Sequence, residues 1–494
     1  MTDDILLAID QGTSSTRAIG FSAAGDAVAV EQLSFDATYP GPGWVEHNAE
    51  VISATALSTS RRVLQTLSET KRSPVAIGIT NQRETTVLWD RRSGTPIYNA
   101  IVWQDRRTAD RCRQLARDHG ETELSRKTGL RLDPYFSATK IAWILDRVPG
   151  AREAARAGHI AFGTIDCFLM WRLSGGRLHL TDATNASRTA LYDIGKGRWD
   201  EALCEMFTVP MSVLPEVRDS AGEFGVTDKA VLGQSLPICG VAGDQQAALV
   251  GQACFAAGDV KSTYGTGAFL VLNTARTLVP SKNRLLSTIA YQLKGEPTYA
   301  LEGSILSAGA AFQWLRDGLG LIAQASDVEA LAASVPHSGG VYMVPAFTGL
   351  GAPYWDPDAR AAILGLTRAS TRGEIARAAL DSVAYQTYDL LDAMAADGLR
   401  PESLKVDGGM SQNSLLMQRL ADVLGLTVRR PANPESTAFG AACLAGLGCG
   451  LYRSLQEIAA LSRSETRFEP TLAAPEREIQ IFGWRNALRR VRST

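Results

Sequence analysis

The chain has 494 residues, of which 45% are apolar, and this length predicts roughly two to four domains with sizeable cores. The formal net charge is −2 and no long basic run occurs, which argues against a nucleic-acid partner. Seven cysteines without a C-x-x-C pair and five dispersed histidines indicate neither a disulfide framework nor a zinc site. We therefore expect reduced, mostly buried thiols in a cytoplasmic protein.

The first predicted elements form a sheet. The segments ILLAID, TRAIGFS and AVAVEQLSF alternate with turn residues and are typical of a three-strand meander. Two acidic residues precede a very short apolar run, unlike a secretory signal. A Pro- and Gly-rich loop leads into a helix that ends near residue 69. Two further strands, PVAIGIT and TTVLWD, flank a polar segment at 81–84, and helices are predicted near 104–118 and 138–146.

The turn between the first two strands has the composition of an anion-binding loop. Glycine and hydroxyl side chains there can direct backbone N–H and O–H groups at one phosphate; the residues are Gly12, Thr13, Ser14, Ser15 and Thr16. Asp10 precedes this turn, and a carboxylate faces a phosphate only across a cation, so we interpret it as a Mg²⁺ anchor. Taken alone, such a loop is more often an ordinary turn.

The second half of the chain repeats this plan. DVKSTYGTGAFLVL places Gly265, Thr266 and Gly267 between strands at 260–264 and 268–273, with further strands to about residue 302. A helix is predicted over 304–322. Ser326 with Glu329, and Thr371 with Glu374, have the spacing of capping boxes that open two more helices, the second at 372–396. Two copies of one plan indicate two α/β lobes that bind a nucleotide between them.

The last predicted elements end in a glycine-rich helix. SLKVDGG predicts a strand that ends in a Gly turn, followed by a helix at 413–424 and the strand LTVRRP. The uncharged segment 436–452 is shorter than the ~20 apolar residues needed to span a bilayer and contains four glycines. We therefore expect no membrane span, and a buried helix whose small residues pack closely against a sheet.

Two other phosphate motifs are absent from the sequence. No Gly-x-x-x-x-Gly-Lys-Ser/Thr string occurs, and Leu270 stands where a dinucleotide fingerprint requires its third glycine. The phosphate chemistry is therefore neither that of a P-loop nor that of a nicotinamide fold.

Three polar residues are candidates for chemistry on a hydroxyl substrate. Asp244 lies at a strand-to-helix turn, where it fits either a general base or a helix N-cap. Arg83 and Glu84 follow a buried strand; they form either a solvated turn or a pair that donates to and accepts from neighbouring hydroxyls. The residues alone leave these alternatives open.

Longer strings carry a resemblance to a known family. DQGTSSTRA, GITNQRETTVLWD, TDATNASRT, GVAGDQQAALVGQ and PAFTGLGAPYWDPDARAAILGLTR resemble the glycerol-phosphorylating members of the FGGY carbohydrate-kinase family, within the actin/hexokinase/Hsp70 ATPase superfamily. The resemblance covers the chain from Ile5 to about Gly450. It implies an α/β fold of two ribonuclease H-like (actin-like ATPase) lobes, at 1–250 and 251–494, with a central cleft for nucleotide and substrate.

The resemblance also implies a reaction and its residues. It predicts ATP-dependent, Mg²⁺-assisted phosphorylation of glycerol, with Asp244 as general base and Asp10 at the metal. The glycerol contacts that it implies are Arg83, Glu84, Trp103, Tyr135, Asp244, Gln245 and Phe269, of which Trp103 and Phe269 are otherwise ordinary core aromatics. The nucleotide contacts that it implies are Thr13, Ser14, Ser15, Arg17, Thr266, Gly309, Gln313, Gly408, Gly409, Met410 and Asn413. Asn413-Ser414 replaces the two asparagines common in the family.

The alternatives come from the same family and from the wider superfamily. Another FGGY kinase would act on a sugar such as xylulose or on gluconate, whereas Arg83-Glu84 with Trp103 and Tyr135 favours a three-carbon substrate. A nucleotide-driven conformational protein would need no polyol pocket. A homodimer or homotetramer is expected only by analogy. Some family members bind fructose 1,6-bisphosphate on a Gly- and Arg-rich loop; the matching stretch here offers only Lys229 and Gly233, which predicts weak or absent inhibition.

Overall fold

The computed structural model describes residues 4–461 and 465–493. The strands of the first half are β1 (Ile5–Gln11), β2 (Ser15–Ser22), β3 (Ala27–Ser34), β4 (Glu46–His47), β5 (Pro74–Asn81), β6 (Val87–Asp90), β7 (Ala100–Ile101), β8 (Ile160–Gly163), β9 (Leu180–Asp182), β10 (Tyr192–Asp193), β11 (Arg198–Trp199), β12 (Glu216–Arg218), β13 (Ala221–Val226) and β14 (Pro237–Gly243). Its helices are α1 (Ala49–Glu69), α2 (Ala109–His119), α3 (Thr122–Thr128), α4 (Ser137–Arg147), α5 (Ala151–Arg156), α6 (Ile165–Leu173), α7 (Ala183–Ala186), α8 (Glu201–Phe207), α9 (Lys229–Leu232) and α10 (Asp244–Gly251).

The second half begins after α10. Its strands are β15 (Val260–Tyr264), β16 (Ala268–Ala275), β17 (Leu286–Leu293), β18 (Glu296–Ile305), β19 (Tyr342–Val344), β20 (Ala362–Leu364), β21 (Ser403–Asp407), β22 (Thr427–Pro431) and β23 (Glu465–Phe468). Its helices are α11 (Gly309–Asp317), α12 (Val328–Ala333), α13 (Arg372–Ala396), α14 (Ser414–Leu424), α15 (Ser436–Gly448), α16 (Leu455–Ala460) and α17 (Ala474–Val491).

Each half contains one large sheet with the same core arrangement. The first sheet has the order β13-β14-β5-β1-β2-β3, in which β1 runs parallel to β5 and antiparallel to β2. The second has the order β17-β18-β16-β15-β21-β22-β23, in which β15 runs parallel to β21 and antiparallel to β16. The predicted meander is therefore confirmed, and the second half repeats its first two strands as β15 and β16. The strand beside β16 is β18 rather than β17, the next in sequence. Both phosphate-loop candidates lie at matching β-turns, β1–β2 and β15–β16.

Both faces of the first sheet are buried. Successive side chains of β1 point to opposite faces, so each face receives every second residue of the strand. Ile5, Leu7 and Ile9 pack into a core with α1 and α6. Leu6 and Ala8 point the other way and join a core that includes residues of α15, from the second half of the chain. Since strand side chains alternate between faces, one short apolar run supplies two cores.

Helices α10 and α15 cross at a very short distance. A Cβ on Gly440 would lie 1.8 Å from the Ala247 carbonyl oxygen, and a Cβ on Gly251 would lie 2.0 Å from that of Ser436. A Cβ on Gly78 in β5 would likewise lie 2.1 Å from the Ala441 carbonyl oxygen. The prediction that the small residues of 436–452 pack closely against a sheet is confirmed, and that sheet is the one in the first half.

Side-chain caps open several of the described helices. Asn48 accepts the Glu50 N–H at the start of α1, and Thr371 with Glu374 forms the predicted capping box of α13. The predicted box of Ser326 with Glu329 is wrong: the box is formed by Gln324 and Asp327. Glu329 instead accepts the Leu415 N–H at 3.0 Å.

Two predicted helices begin later than expected. Residues 304–305 belong to β18, and α11 begins only at Gly309, because the N–H groups of Ala308, Gly309 and Ala310 donate to Gly265 and Thr266. Residues 104–108 form a turn before α2, in which the Asp105 side chain accepts the N–H groups of Val45 and Arg107.

The cysteines are free and mostly buried, as their number and spacing in the sequence predict. All seven cysteines lie within the described ranges and are free, and six of them are buried, with Cys449 exposed. None of the helices in the described ranges is long and apolar enough to cross a membrane.

Candidate active site

Two cavities lie between the halves of the chain. The larger, of about 580 Å³, is lined by Asp10, Arg17, Thr263, Asp407, Gly408, Gly409, Gln412, Arg430, Pro431, Ala432, Pro434, Glu435, Thr437 and Thr466. The second, which we name the aromatic cavity, measures about 340 Å³. Its walls include Trp103, Tyr135, Phe269, Leu350 and Trp355. Residues from both halves line each cavity, so both sites require the two sheets together.

The β1–β2 turn presents the first loop to this cleft. The Gly12 N–H donates to the Ser15 carbonyl at 2.9 Å, which closes the turn and leaves Ser14 exposed. Thr13 Oγ1 accepts the Trp103 indole N–H at 3.0 Å, so it joins the loop to the aromatic wall. Arg17 follows on β2 and pairs with Glu435 at 2.6 Å. A phosphate in the larger cavity would compete with Glu435 for this guanidinium.

Asp10 has an unusual carboxyl at the mouth of the turn. Within the described residues it accepts no hydrogen bond, and burial raises its pKa to about 7, with Arg17 opposing and Asp244 reinforcing the shift. The described residues contain no group of three or more metal ligands. Mg²⁺ commonly binds proteins through one or two carboxylates and completes its shell with water and substrate phosphates, so a lone Asp10 fits that ion.

The second loop is joined to two predicted nucleotide residues. Thr266 is exposed, and its carbonyl accepts the N–H groups of Ala308 and Ala310. A Cβ on Gly309 would lie 2.7 Å from the Gly265 carbonyl oxygen and 3.1 Å from Met410 Sδ. The structure thus brings the loop, the start of α11 and Met410 together. Gln313 lies one turn further along α11, on its exposed side.

The Gly-Gly turn after β21 borders the larger cavity. Gly408 has φ +85°, and a Cβ there would lie 2.4 Å from the Tyr264 carbonyl oxygen. A Cβ on Gly409 would meet nothing within 4 Å, so its open side is available to a ligand. Asn413 is the N-cap of α14, and its Oδ1 accepts the Leu416 N–H at 2.8 Å. Gln412 and Arg430, which the sequence interpretation missed, line the cavity.

Asp244 is the first residue of α10, directly after the N-cap residue Gly243. Its Oδ1 lies 3.2 Å from Arg83 Nε and accepts the Gln245 N–H at 2.7 Å. Although 30% of the side chain is exposed, burial raises the pKa of its carboxyl, and Arg83 and Lys261 oppose the shift. A Cβ on Gly243 would lie 2.6 Å from Arg83 Cγ, so the glycine allows the Arg83 side chain to pack directly against the backbone before Asp244.

Arg83 and Glu84 are buried rather than solvated. They belong to a charged ring of four side chains, Arg83, Glu302, Arg188 and Glu84, each at most 2% exposed. Glu302 and Arg188 were missed from the sequence. Burial raises the pKa of Glu84 despite both arginines, whereas the two arginines outweigh burial at Glu302 and lower its pKa. The solvated-turn alternative for Arg83 and Glu84 is therefore wrong.

Aromatic side chains border the ring, among them Tyr135 and Phe269. Trp103 packs edge-on against Tyr135 and Phe269, with ring centroids 5.7 and 5.8 Å apart. The Tyr135 hydroxyl lies 3.3 Å from Arg83 Nη2. Trp103 and Phe269 keep part of their surface exposed in the aromatic cavity, which distinguishes them from fully buried core residues. An apolar wall beside a buried ion network suits a small molecule with both C–H and hydroxyl surfaces.

Gln245 is fixed by a buried lysine that the sequence interpretation also missed. Lys261 Nζ donates to Gln245 Oε1 and to Thr263 Oγ1, at 2.5 and 2.8 Å. Burial lowers the pKa of Lys261 to about 8, although Asp407 and Asp244 oppose the shift. The Gln245 side chain also hydrogen-bonds the Asp244 carboxyl, so it links Lys261 to Asp244.

Comparisons with known proteins follow the same division of the chain. Residues 5–251 match the N-terminal domain of the FGGY family of carbohydrate kinases, and residues 260–449 match its C-terminal domain. Glycerol kinase of Rhodospirillum centenum is 57% identical over 488 residues, covering 99% of this chain and 98% of its own. Glycerol kinase of Alcanivorax borkumensis is 59% identical over 491 residues, with the same coverage. The crystal structure of Plasmodium falciparum glycerol kinase with ADP superposes with a TM-score of 0.92 at 36% identity, covering 99% and 98% of the two chains.

Proposed function

The chain belongs to the FGGY family of carbohydrate kinases, and we propose that it transfers the γ-phosphoryl group of ATP to a terminal hydroxyl of glycerol, forming sn-glycerol 3-phosphate. The identity to glycerol kinases over nearly the full chain supports this assignment. So does the actin-like two-lobe fold, shared with a glycerol kinase solved with ADP. We divide the chain into lobes at 1–250 and 251–494.

The transfer depends on a base beside the acceptor hydroxyl. Asp244 takes the hydroxyl proton as the oxygen bonds to the γ-phosphorus and the bond to the ADP oxygen breaks. Arg83 Nε and the Gln245 N–H hold the carboxylate, so one face of it stays free for the substrate. Phosphoryl transfer needs alignment and charge neutralisation more than covalent help, and a fixed carboxylate supplies alignment.

The charged ring and the aromatic wall bind the acceptor. Arg83 donates to hydroxyl oxygens, Glu84 accepts hydroxyl protons, and Gln245 and Tyr135 add polar contacts. Trp103 and Phe269 cover the C–H side of the molecule. The single observation that carries this assignment is the position of Arg83, which contacts Asp244, Tyr135 and the carboxylate of Glu302 at one time.

The larger cavity binds the nucleotide. The two loops, at Thr13–Ser15 and at Thr266, hold the phosphates with Arg17, and Gly309, Gln313, Gly409, Met410 and Asn413 border the adenosine. Asp10 is the residue that anchors Mg²⁺. When bound, the ion would supply charge neutralisation at the phosphates.

ATP turnover measured with and without glycerol tests the proposal against both alternatives. We expect turnover that depends on glycerol and a product phosphorylated at its terminal carbon. Faster phosphorylation of xylulose or gluconate would favour another FGGY kinase. Turnover unaffected by any polyol would favour a nucleotide-driven conformational protein.

A further inference from the structure

Glu302 reaches the proposed glycerol site from the opposite sheet. It lies on β18 in the second half, with its side chain fully buried. Its Oε2 accepts Arg83 Nη1 at 2.5 Å and its Oε1 accepts Arg83 Nη2 at 3.1 Å. The same Oε1 accepts Arg188 Nη2 at 2.8 Å. One carboxylate therefore fixes two guanidinium groups, both from the first half of the chain.

These contacts determine how Arg83 is oriented. Its three nitrogens all lie within 3.3 Å of an acceptor, and the two-point contact to Glu302 fixes the plane of the guanidinium. Bidentate arginine–carboxylate pairs impose orientation as well as attraction. The fixed plane leaves Nε directed at Asp244, the proposed base.

Arg188 orients the side chain of Glu84, as Glu302 orients that of Arg83. Its Nε donates to Glu84 Oε1 at 2.6 Å, while its Nη2 remains on Glu302. Glu84 also has φ +59°, a conformation that few non-glycine residues adopt, and its carbonyl accepts the Ser137 hydroxyl. With Oε1 occupied, Oε2 is the oxygen left for a substrate hydroxyl.

We propose that Glu302 and Arg188 are positioning residues that set Arg83 and Glu84 at the separation and orientation required for two neighbouring hydroxyls of the acceptor. This proposal rests on the proposed function, because it assigns roles within the same site. Neither residue touches the substrate; each acts through its partner in the ring. Because Glu302 lies on the second sheet, the acceptor site of the first half is complete only when the two sheets are in contact.

The experiment compares two ring variants with a matched control. Glu302→Gln and Arg188→Gln each remove one charge of the ring and keep the shape of a long polar side chain. The control is Asp381→Asn, because Asp381 is a buried carboxylate that also pairs with two arginines, Arg377 and Arg419, on helices outside the ring. Steady-state kinetics with glycerol and ATP varied separately, thermal unfolding and calorimetric titration with glycerol are measured for each protein.

We expect both ring variants to raise the glycerol KM about 10- to 100-fold, the range for loss of hydrogen bonds to charged groups, with the ATP KM within about twofold. The double variant should be less impaired than the product of the single effects, since the two residues act in one network. Asp381→Asn should leave both KM values within about twofold while lowering the unfolding temperature comparably.

Several results would overturn the proposal. These are an unchanged glycerol KM in both ring variants, a change confined to kcat, or an equal KM change in Asp381→Asn. If Glu302→Gln does not fold, Glu302→Asp and Arg188→Gln provide the same comparison. A parent protein that binds glycerol without phosphorylating it refutes the proposed function alone, and the titrations then decide the positioning role. A parent that does not bind glycerol refutes both.

Discussion

Replacing Asp244 by asparagine removes the charge of one carboxylate and keeps its shape. The amide side chain would retain an oxygen for Arg83 Nε and for the Gln245 N–H, so the geometry of the site should persist. The variant would lack the proposed proton acceptor. Loss of a general base commonly reduces the rate ~10²–10⁴-fold. At about 1.36 kcal/mol for each factor of ten, this corresponds to about 2.7–5.4 kcal/mol of activation free energy.

The same structure predicts what this substitution leaves unchanged. The proposed role of Asp244 is at the acceptor hydroxyl and not at the nucleotide, so ATP affinity should stay within about twofold. Folding raises the pKa of the Asp244 carboxyl, which means that its ionised form is less stable in the folded protein than in the unfolded chain. Above that pKa the charge costs stability, and asparagine carries none. The unfolding temperature at pH 7–8 should therefore be equal to or above that of the parent.

The assay is glycerol-dependent ADP release, with nucleotide binding and thermal unfolding measured on the same preparation. A variant with kcat within about threefold of the parent would refute the assignment of Asp244 as the base. A large loss of ATP affinity or of stability would show instead that the residue supports the fold of the cleft.

Four further outcomes are expected. Asp10→Ala should weaken nucleotide binding in the presence of Mg²⁺, and calorimetric titrations should show partial recovery as the Mg²⁺ concentration is raised. A nucleotide affinity of this variant that does not change with Mg²⁺ concentration would contradict the metal role. Arg83→Ala should raise the glycerol KM sharply and leave the ATP KM nearly unchanged in steady-state kinetics, since the lost contacts are to the acceptor. Gly440→Ala should lower the free energy of unfolding by at least about 1–3 kcal/mol in urea titrations, because the new methyl group would overlap the Ala247 carbonyl. Fructose 1,6-bisphosphate should inhibit weakly or not at all in activity assays, and saturable inhibition at low concentration would contradict this interpretation of residues 226–238.

Features that depend on neighbours in sequence could be predicted. The two loops have glycine and hydroxyl residues within a few positions, and α13 has both members of its capping box three residues apart. The start of α11 could not be predicted, because it depends on carbonyls of Gly265 and Thr266 more than forty residues earlier in the chain. A local pattern contains no information about such partners.

The same distinction applies to the candidate site. Arg83 and Glu84 were found from their position after a strand, whereas their partners Glu302 and Arg188 lie more than one hundred residues away. A signal for Glu302 did exist: it is a lone charge in the apolar strand TYALEGSI, and an uncompensated charge inside a buried strand requires a partner. The sequence contains no indication of which residue that partner is.

The packing of α15 on the first sheet has a consequence for synthesis of the protein. The first-half residues on that face, among them Leu6 and Ala8, have all been synthesised once the ribosome reaches Gly251, the end of α10. Helix α15, which covers them, is complete only at Gly448. Ribosomes add about 5–20 residues per second, so the 448 − 251 = 197 intervening residues take about 10–40 seconds. Until α15 has been synthesised, we expect the first half to expose this apolar face, to which chaperones can bind.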